Sequence, residues 1–167
     1  MTNMTTRSVL EPSHPTPIPC LFRSPVTELV LRHNEVERLW PGSFPRMPGL
    51  RRLDLSHVDL TEGRAGALSA DVLPDLQALN LSGNRLPGLW PGFVSRSLLS
   101  LDVSASRAAY FDLADGAFAG MARLQALNLS YNRLLRLTNE SFVGLDGLQV
   151  SGASATTASG VGRRASA

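Results

Sequence analysis

His33 and His57 stand 24 residues apart. If the chain coils with that period, the two imidazoles are neighbours on successive turns, their backbones about 5 Å apart. Imidazoles that close could share a metal or titrate together near neutral pH. No third ligand falls in register with them, so no metal is expected. Near them in the same pattern stand Arg32, Arg51, Arg52, Asp54 and Asp102, with Tyr131 farther along. These groups suit recognition rather than bond-making, since Arg and Tyr most often carry the energy of an interface. The single cysteine, Cys20, cannot close an internal disulfide, and no histidine is placed beside it to activate a thiolate. G-x-S-x-G, P-loop, dinucleotide and H-E-x-x-H signatures are all missing. The residues predict neither catalysis nor a cofactor.

What positions these side chains is a repeat. "LQALNLSGNRL" from Leu76 returns as "LQALNLSYNRL" from Leu124, and the only change is Gly83 against Tyr131. Aligned on L-x-x-L-x-L-x-x-N-x-L, the chain supplies copies starting at Val26, Leu50, Leu76, Leu98 and Leu124, spaced 24, 26, 22 and 26 residues apart. A partial sixth begins at Leu148. Alternation within L-x-L places both apolar residues on one face of a short strand. Leu29/Leu31, Leu53/Leu55, Leu79/Leu81, Leu101/Val103 and Leu127/Leu129 therefore point inward. One such strand cannot bury its face alone, but stacked rungs make a parallel sheet over a continuous core. The second half of each unit returns the chain, with Val36, Leu39, Phe44 and Met47 as inward anchors in the first repeat. Leu134, Leu137, Phe142 and Leu145 take those places in the fifth. Pro-Gly pairs and the lack of helical periodicity predict an irregular convex side, against which Trp40 and Trp90 pack.

These residues resemble the leucine-rich repeat family, and the 24-residue layout with a late Phe is similar to its extracellular subtype, shared by Toll receptors and chaoptin-like adhesion proteins. The resemblance covers roughly residues 26–150. It implies an α/β solenoid: a horseshoe with a short-stranded parallel sheet on the concave face and an irregular or 3-10 convex side. It also implies an asparagine ladder, to which Asn34, Asn84 and Asn132 belong, because an amide offers donors and an acceptor together. Val58 and Ser106 depart from that pattern, and the second halves of repeats two and four are rich in Ala and Gly, so these two rungs are expected to be looser. The concave sheet is the expected recognition surface, with Arg32, His33, Arg51, Arg52, Asp54, His57, Asp102 and Tyr131 as candidate contacts. Glu28 and Arg52 could pair across rungs.

Composition sets wider bounds. All sixteen basic residues are Arg, and against fourteen acids they leave a net charge of +2. So small and scattered an excess predicts no nucleic-acid partner. No apolar run of 18 residues occurs, so no helical membrane span is expected. The first twenty residues lack the unbroken apolar stretch of a secretory signal, whereas the resemblance implies an extracellular or cell-surface protein. A cytoplasmic scaffold or enzyme regulator is the alternative, and a truncated product without independent function is a third reading. The sequence divides into an unordered segment 1–19, a solenoid 20–150 and a low-complexity tail 151–167, where the sixth repeat stops in mid-phrase, as in a fragment. Sequons occur at Asn3, Asn80, Asn128 and Asn139. Asn80 and Asn128 fall in "LNLS", which the repeat itself creates, and Asn139 is the more credible acceptor.

Overall fold

The computed structural model describes residues 26–135, 137–138, 140–152 and 157–158. Twelve short strands follow one another: β1 (Glu28–Val30), β2 (Arg38–Leu39), β3 (Arg52–Asp54), β4 (Glu62–Gly63), β5 (Ala78–Asn80), β6 (Gly88–Leu89), β7 (Ser100–Asp102), β8 (Asp112–Leu113), β9 (Ala126–Asn128), β10 (Arg133–Leu134), β11 (Val150–Gly152) and β12 (Thr157–Ala158). The odd-numbered strands form one sheet in the order β1-β3-β5-β7-β9-β11, each neighbour parallel. Its register sets Leu29, Leu53, Leu79, Leu101 and Leu127 side by side. All five are buried, as the alternation requires. Two-residue pairs β2–β4, β6–β8 and β10–β12 tie successive rungs together on the return side. That side is irregular, as expected, and the described residues contain no helix.

The core fills rung by rung. Val36, Leu39, Phe44 and Met47 are buried in the first repeat, and Phe93 and Phe118 in the third and fourth. Gly63 shows how the glycine-rich second repeat is filled: a Cβ there would lie 2.1 Å from the Phe93 ring, so the next rung's phenyl occupies the space a side chain would need. Trp40 takes the Arg64 guanidinium over its ring at 4.5 Å, and Trp90 stacks on Phe93 at 5.0 Å. One inward assignment needs correction: Phe142 is 41 % exposed, whereas Leu31, Leu137 and Leu145 are half-buried and pack against the core. Phe142 lies parallel to Phe118 with ring centres 6.3 Å apart.

The asparagines work backwards along the coil. Buried Asn84 donates to Leu81 O in its own rung and to Leu55 O in the rung before, both at 2.8 Å. Its Oδ1 accepts from Val58 N and Leu60 N, both at 3.1 Å. Asn132 repeats this toward the fourth rung, donating to Val103 O and accepting from Ser106 N. The repeats that lack asparagine are thus served by the asparagine of the next one. Ser106 adds a bond of its own, donating from Oγ to Leu86 O at 2.8 Å. Asn34 differs, because its described bonds stay within its own repeat, to Leu31 O and Arg32 O.

The sixth rung also departs from expectation. Val150–Gly152 pairs with β9 in the same register, with Ser151 in the leucine place, and Thr157–Ala158 pairs with Arg133–Leu134. These residues fall in or beside the segment read as an unordered tail. Parallel pairing is made by backbone groups, so a missing leucine weakens the packing of a rung without abolishing its hydrogen bonds.

Candidate functional site

The concave sheet carries two outward-facing rows, most of whose residues are half-buried. Register aligns Glu28, Arg52, Ala78, Ser100, Ala126 and Val150 in one, and Val30, Asp54, Asn80, Asp102, Asn128 and Gly152 in the other. Small residues at the third and later rungs leave shallow grooves between the rows. One, of about 210 Å³, is bordered by Glu28, Arg52, Asp54, Asn80, Ser100 and Asp102. A second, of about 330 Å³, runs from Ser100 and Asp102 to Asn128, Val150 and Gly152. Ser100 and Asp102 border both, at the middle of the face.

The second row has a local reason to be Asp or Asn. Asp54, Asn80, Asp102 and Asn128 each accept through Oδ1 from the backbone N–H of the serine two residues on, Ser56, Ser82, Ser104 and Ser130, at 2.9 to 3.1 Å. Short polar side chains that bond their own backbone in this way stabilise the bend at a strand's end. The recurrent D/N-x-S was visible in the sequence, where the Asn copies read as sequons; its first duty is structural. The same pattern places Asn80 and Asn128 on the concave wall. Asn128 also donates to Asp102 Oδ2 at 3.1 Å. Asn3, Asn139 and Cys20 lie outside the described residues.

The remaining candidates occupy other places. Arg52, Asp54 and Asp102 border the grooves. Arg51 precedes β3, and Arg32, His33, His57 and Tyr131 lie in the turns that follow the strands, on the rim of the sheet rather than its floor. Glu28 and Arg52 are register partners, but the described ion pairs gather elsewhere, at Glu37, Arg38, Glu62 and Arg64 and at Asp59, Arg85 and Arg107. The floor residues Ala78, Ser100 and Ala126 were missed; their signal was smallness at one repeat position.

His33 and His57 do come together. Their rings stack with centroids 5.4 Å apart and planes 15° apart. Nearly parallel rings direct their nitrogens along parallel lines, a geometry for stacking rather than chelation. The His57 ring continues over Gly83, where a Cβ would lie 2.3 Å from it. This accounts for the one difference between the duplicated phrases. Gly83 leaves room for a histidine from the rung before, whereas Tyr131 follows Ala105 in that column and has no such neighbour. On the same rim, Arg107 donates from Nε to Gly83 O at 3.1 Å and pairs through Nη2 with Asp59, clasping the second, third and fourth rungs.

Comparison with known proteins agrees with this architecture. A family model described as leucine rich repeat matches residues 24–86 and 96–150. Mouse podocan is 35% identical over 127 residues, covering 75% of this chain and 20% of podocan. The human leucine-rich repeats and immunoglobulin-like domains protein 1 is 34% identical, over 76% of this chain and 11% of its own length. The chain thus spans a fifth or less of these relatives. Among solved structures, human 5T4 (trophoblast glycoprotein) superposes with a TM-score of 0.62 at 29% identity, covering 80% of this chain and 52% of 5T4. The TLR13–ssRNA13 complex, at 21% identity and TM-score 0.56 over 81% of this chain and 22% of TLR13, shares the fold. That protein is bound to RNA, so the comparisons lend no support to an exclusion of nucleic acid based on charge. Among the described residues no helix is long and apolar enough to cross a membrane. With the repeat, the parallel rungs and the family match in agreement, the chain belongs to the leucine-rich repeat family.

Proposed function

We propose that the chain is a non-catalytic recognition segment of a cell-surface receptor or adhesion protein, holding a protein or glycoconjugate against its concave face. The observation that carries this reading is the middle of the sheet, where Ser100 and Asp102 border two adjoining grooves with small residues between. A floor of Ala78, Ser100 and Ala126 admits a ligand close to the strands, and Asp54 and Asp102 offer negative charge at intervals of two rungs. Rung spacing of about 4.8 Å sets these carboxylates roughly 10 Å apart. Recognition on such a wall is complementarity to a rigid surface, with little ordering cost on this side of the interface. An extracellular life is supported by the relatives, and a sequon such as Asn139 would then be an acceptor.

A multimerised form of the chain, applied to a panel of cell types, tests the site. Binding lost on Asp102→Arg and Ser100→Arg but kept on Arg46→Glu, outside both grooves, supports it. Binding that survives both concave changes refutes it. Expression in animal cells followed by endoglycosidase tests the location: a mobility shift supports export, and an unglycosylated cytosolic product supports the scaffold alternative.

A further inference from the structure

Asn80 and Asn128 open the two copies of "NLS", and their surroundings differ. Both lend Oδ1 to the backbone N–H of the serine two residues on. Asp54 and Asp102 make the same bond in their own rungs, so the bend accepts an acid or an amide and never uses Nδ2. At Asn128 that nitrogen is engaged, donating to Asp102 Oδ2 at 3.1 Å. Gly152 lies close on the other side, where a Cβ would stand 3.0 Å from Asn128 Oδ1. At Asn80 the nitrogen donates to no described residue and is open to solvent. Asn80 borders the groove of about 210 Å³, with Ala78 two residues before it on the same strand. Asp54 and Asp102 flank it in register on the neighbouring rungs.

We propose that Asn80 is a site of N-linked glycosylation and that its glycan covers the first concave groove, leaving the second as the open one. The inference rests on the extracellular reading above, because the sugar is transferred in the secretory pathway. Asn80 Nδ2 gives up a proton and forms a bond to C1 of an oligosaccharide. The bond from C1 to a lipid pyrophosphate carrier breaks, and the pyrophosphate leaves with its electron pair. The amide keeps Oδ1, so the glycosylated side chain still holds Ser82 N. An outward side chain beside an alanine gives the first sugar a way out over the wall. On Asn128 the same group would stand between Asp102 and the sixth rung, in place of a bond the fold already makes. Recognition is then left to the stretch from Ser100 and Asp102 to Gly152, which borders the second groove.

The test expresses the chain in animal cells behind a supplied leader peptide, which sends it through the secretory pathway whether or not the natural product is exported. Mass spectrometry of glycopeptides from the secreted, folded chain should find Asn80 occupied, and more fully than Asn128. Ser82→Ala removes that sequon but keeps Asn80 and both backbone bonds of the serine. It should delete one glycan without loss of secretion. For the covering, Cys20→Ser gives a background without thiols, into which Ala78→Cys or Ala126→Cys is placed on the groove floors. A bulky maleimide should label the Ala78→Cys chain several-fold faster after endoglycosidase treatment, and the Ala126→Cys chain with little change. An unoccupied Asn80, or an Asn128 occupied as fully, overturns the site. Labelling of the Ala78→Cys chain that ignores the glycan, or an equal effect on both chains, overturns the covering. Neither readout uses a concave ligand, so a failure of the binding reading leaves both results standing.

Discussion

At the scale of single residues, Gly83 and Tyr131 give a matched pair of predictions. A methyl group at Gly83 meets both the left-handed backbone, at φ 68°, and the His57 ring. Gly83→Ala should therefore destabilise the chain by at least about 1 kcal/mol in urea unfolding, while Tyr131→Gly should be neutral or stabilising. Equal effects would mean that His57 does not fill that space. Asn84 is the second case. Asn84→Ala strands Val58 N and Leu60 N in the core, where unpaired groups cost about 1–3 kcal/mol each. Hydrogen exchange at those two amides should accelerate before that of their neighbours, and Asn34→Ala should do much less. The sequence made the residue type and position of the ladder plain, but not its direction. Which rung an amide serves depends on how the coil stacks, and no single repeat records that.

At the scale of elements, a small residue in one rung makes room for a large one from the next. Gly63 and Phe93 are the clearest instance, since their repeats read separately as loose and as well filled. Gly63→Val should overpack the interior and cost about 1–3 kcal/mol. Adding Phe93→Leu should recover part of that loss, and strict additivity in the double mutant would show that the two sites do not share one space. Core leucines were legible because burial obeys a fixed period. Phe142 was misread because the same period says nothing of whether a neighbour covers the far side of a ring. The sixth repeat was seen to begin at Leu148, but its continuation as β11 through Ser151 and Gly152 was not, because patterns of apolar side chains are blind to pairing made by backbone groups.

At the scale of the whole molecule, the asparagine bonds bind the second rung to the third and the fourth to the fifth. A two-rung unit gives physical sense to a phrase that returns after 48 residues. The joint between third and fourth rungs relies instead on Ser106 and the Arg107 clasp. Arg107 and Asp59 are both half-exposed, so Arg107→Ala should cost under about 1 kcal/mol, with the effect shrinking in 1 M salt. The core and the repeat boundaries could be read from the sequence alone, and so could Arg52, Asp54 and Asp102 on the concave wall. The rim was not separable from the floor, because strand and turn positions alternate in sequence and part only in space.

The central claim is that parallel rungs align their leucines inside and leave one open wall. Backbone nuclear Overhauser contacts in isotope-labelled protein test it most directly. Cross-strand contacts linking the segments around Leu79, Leu101 and Leu127 in register are the predicted result. Medium-range helical contacts through those leucines, or none between the rungs, would contradict the account.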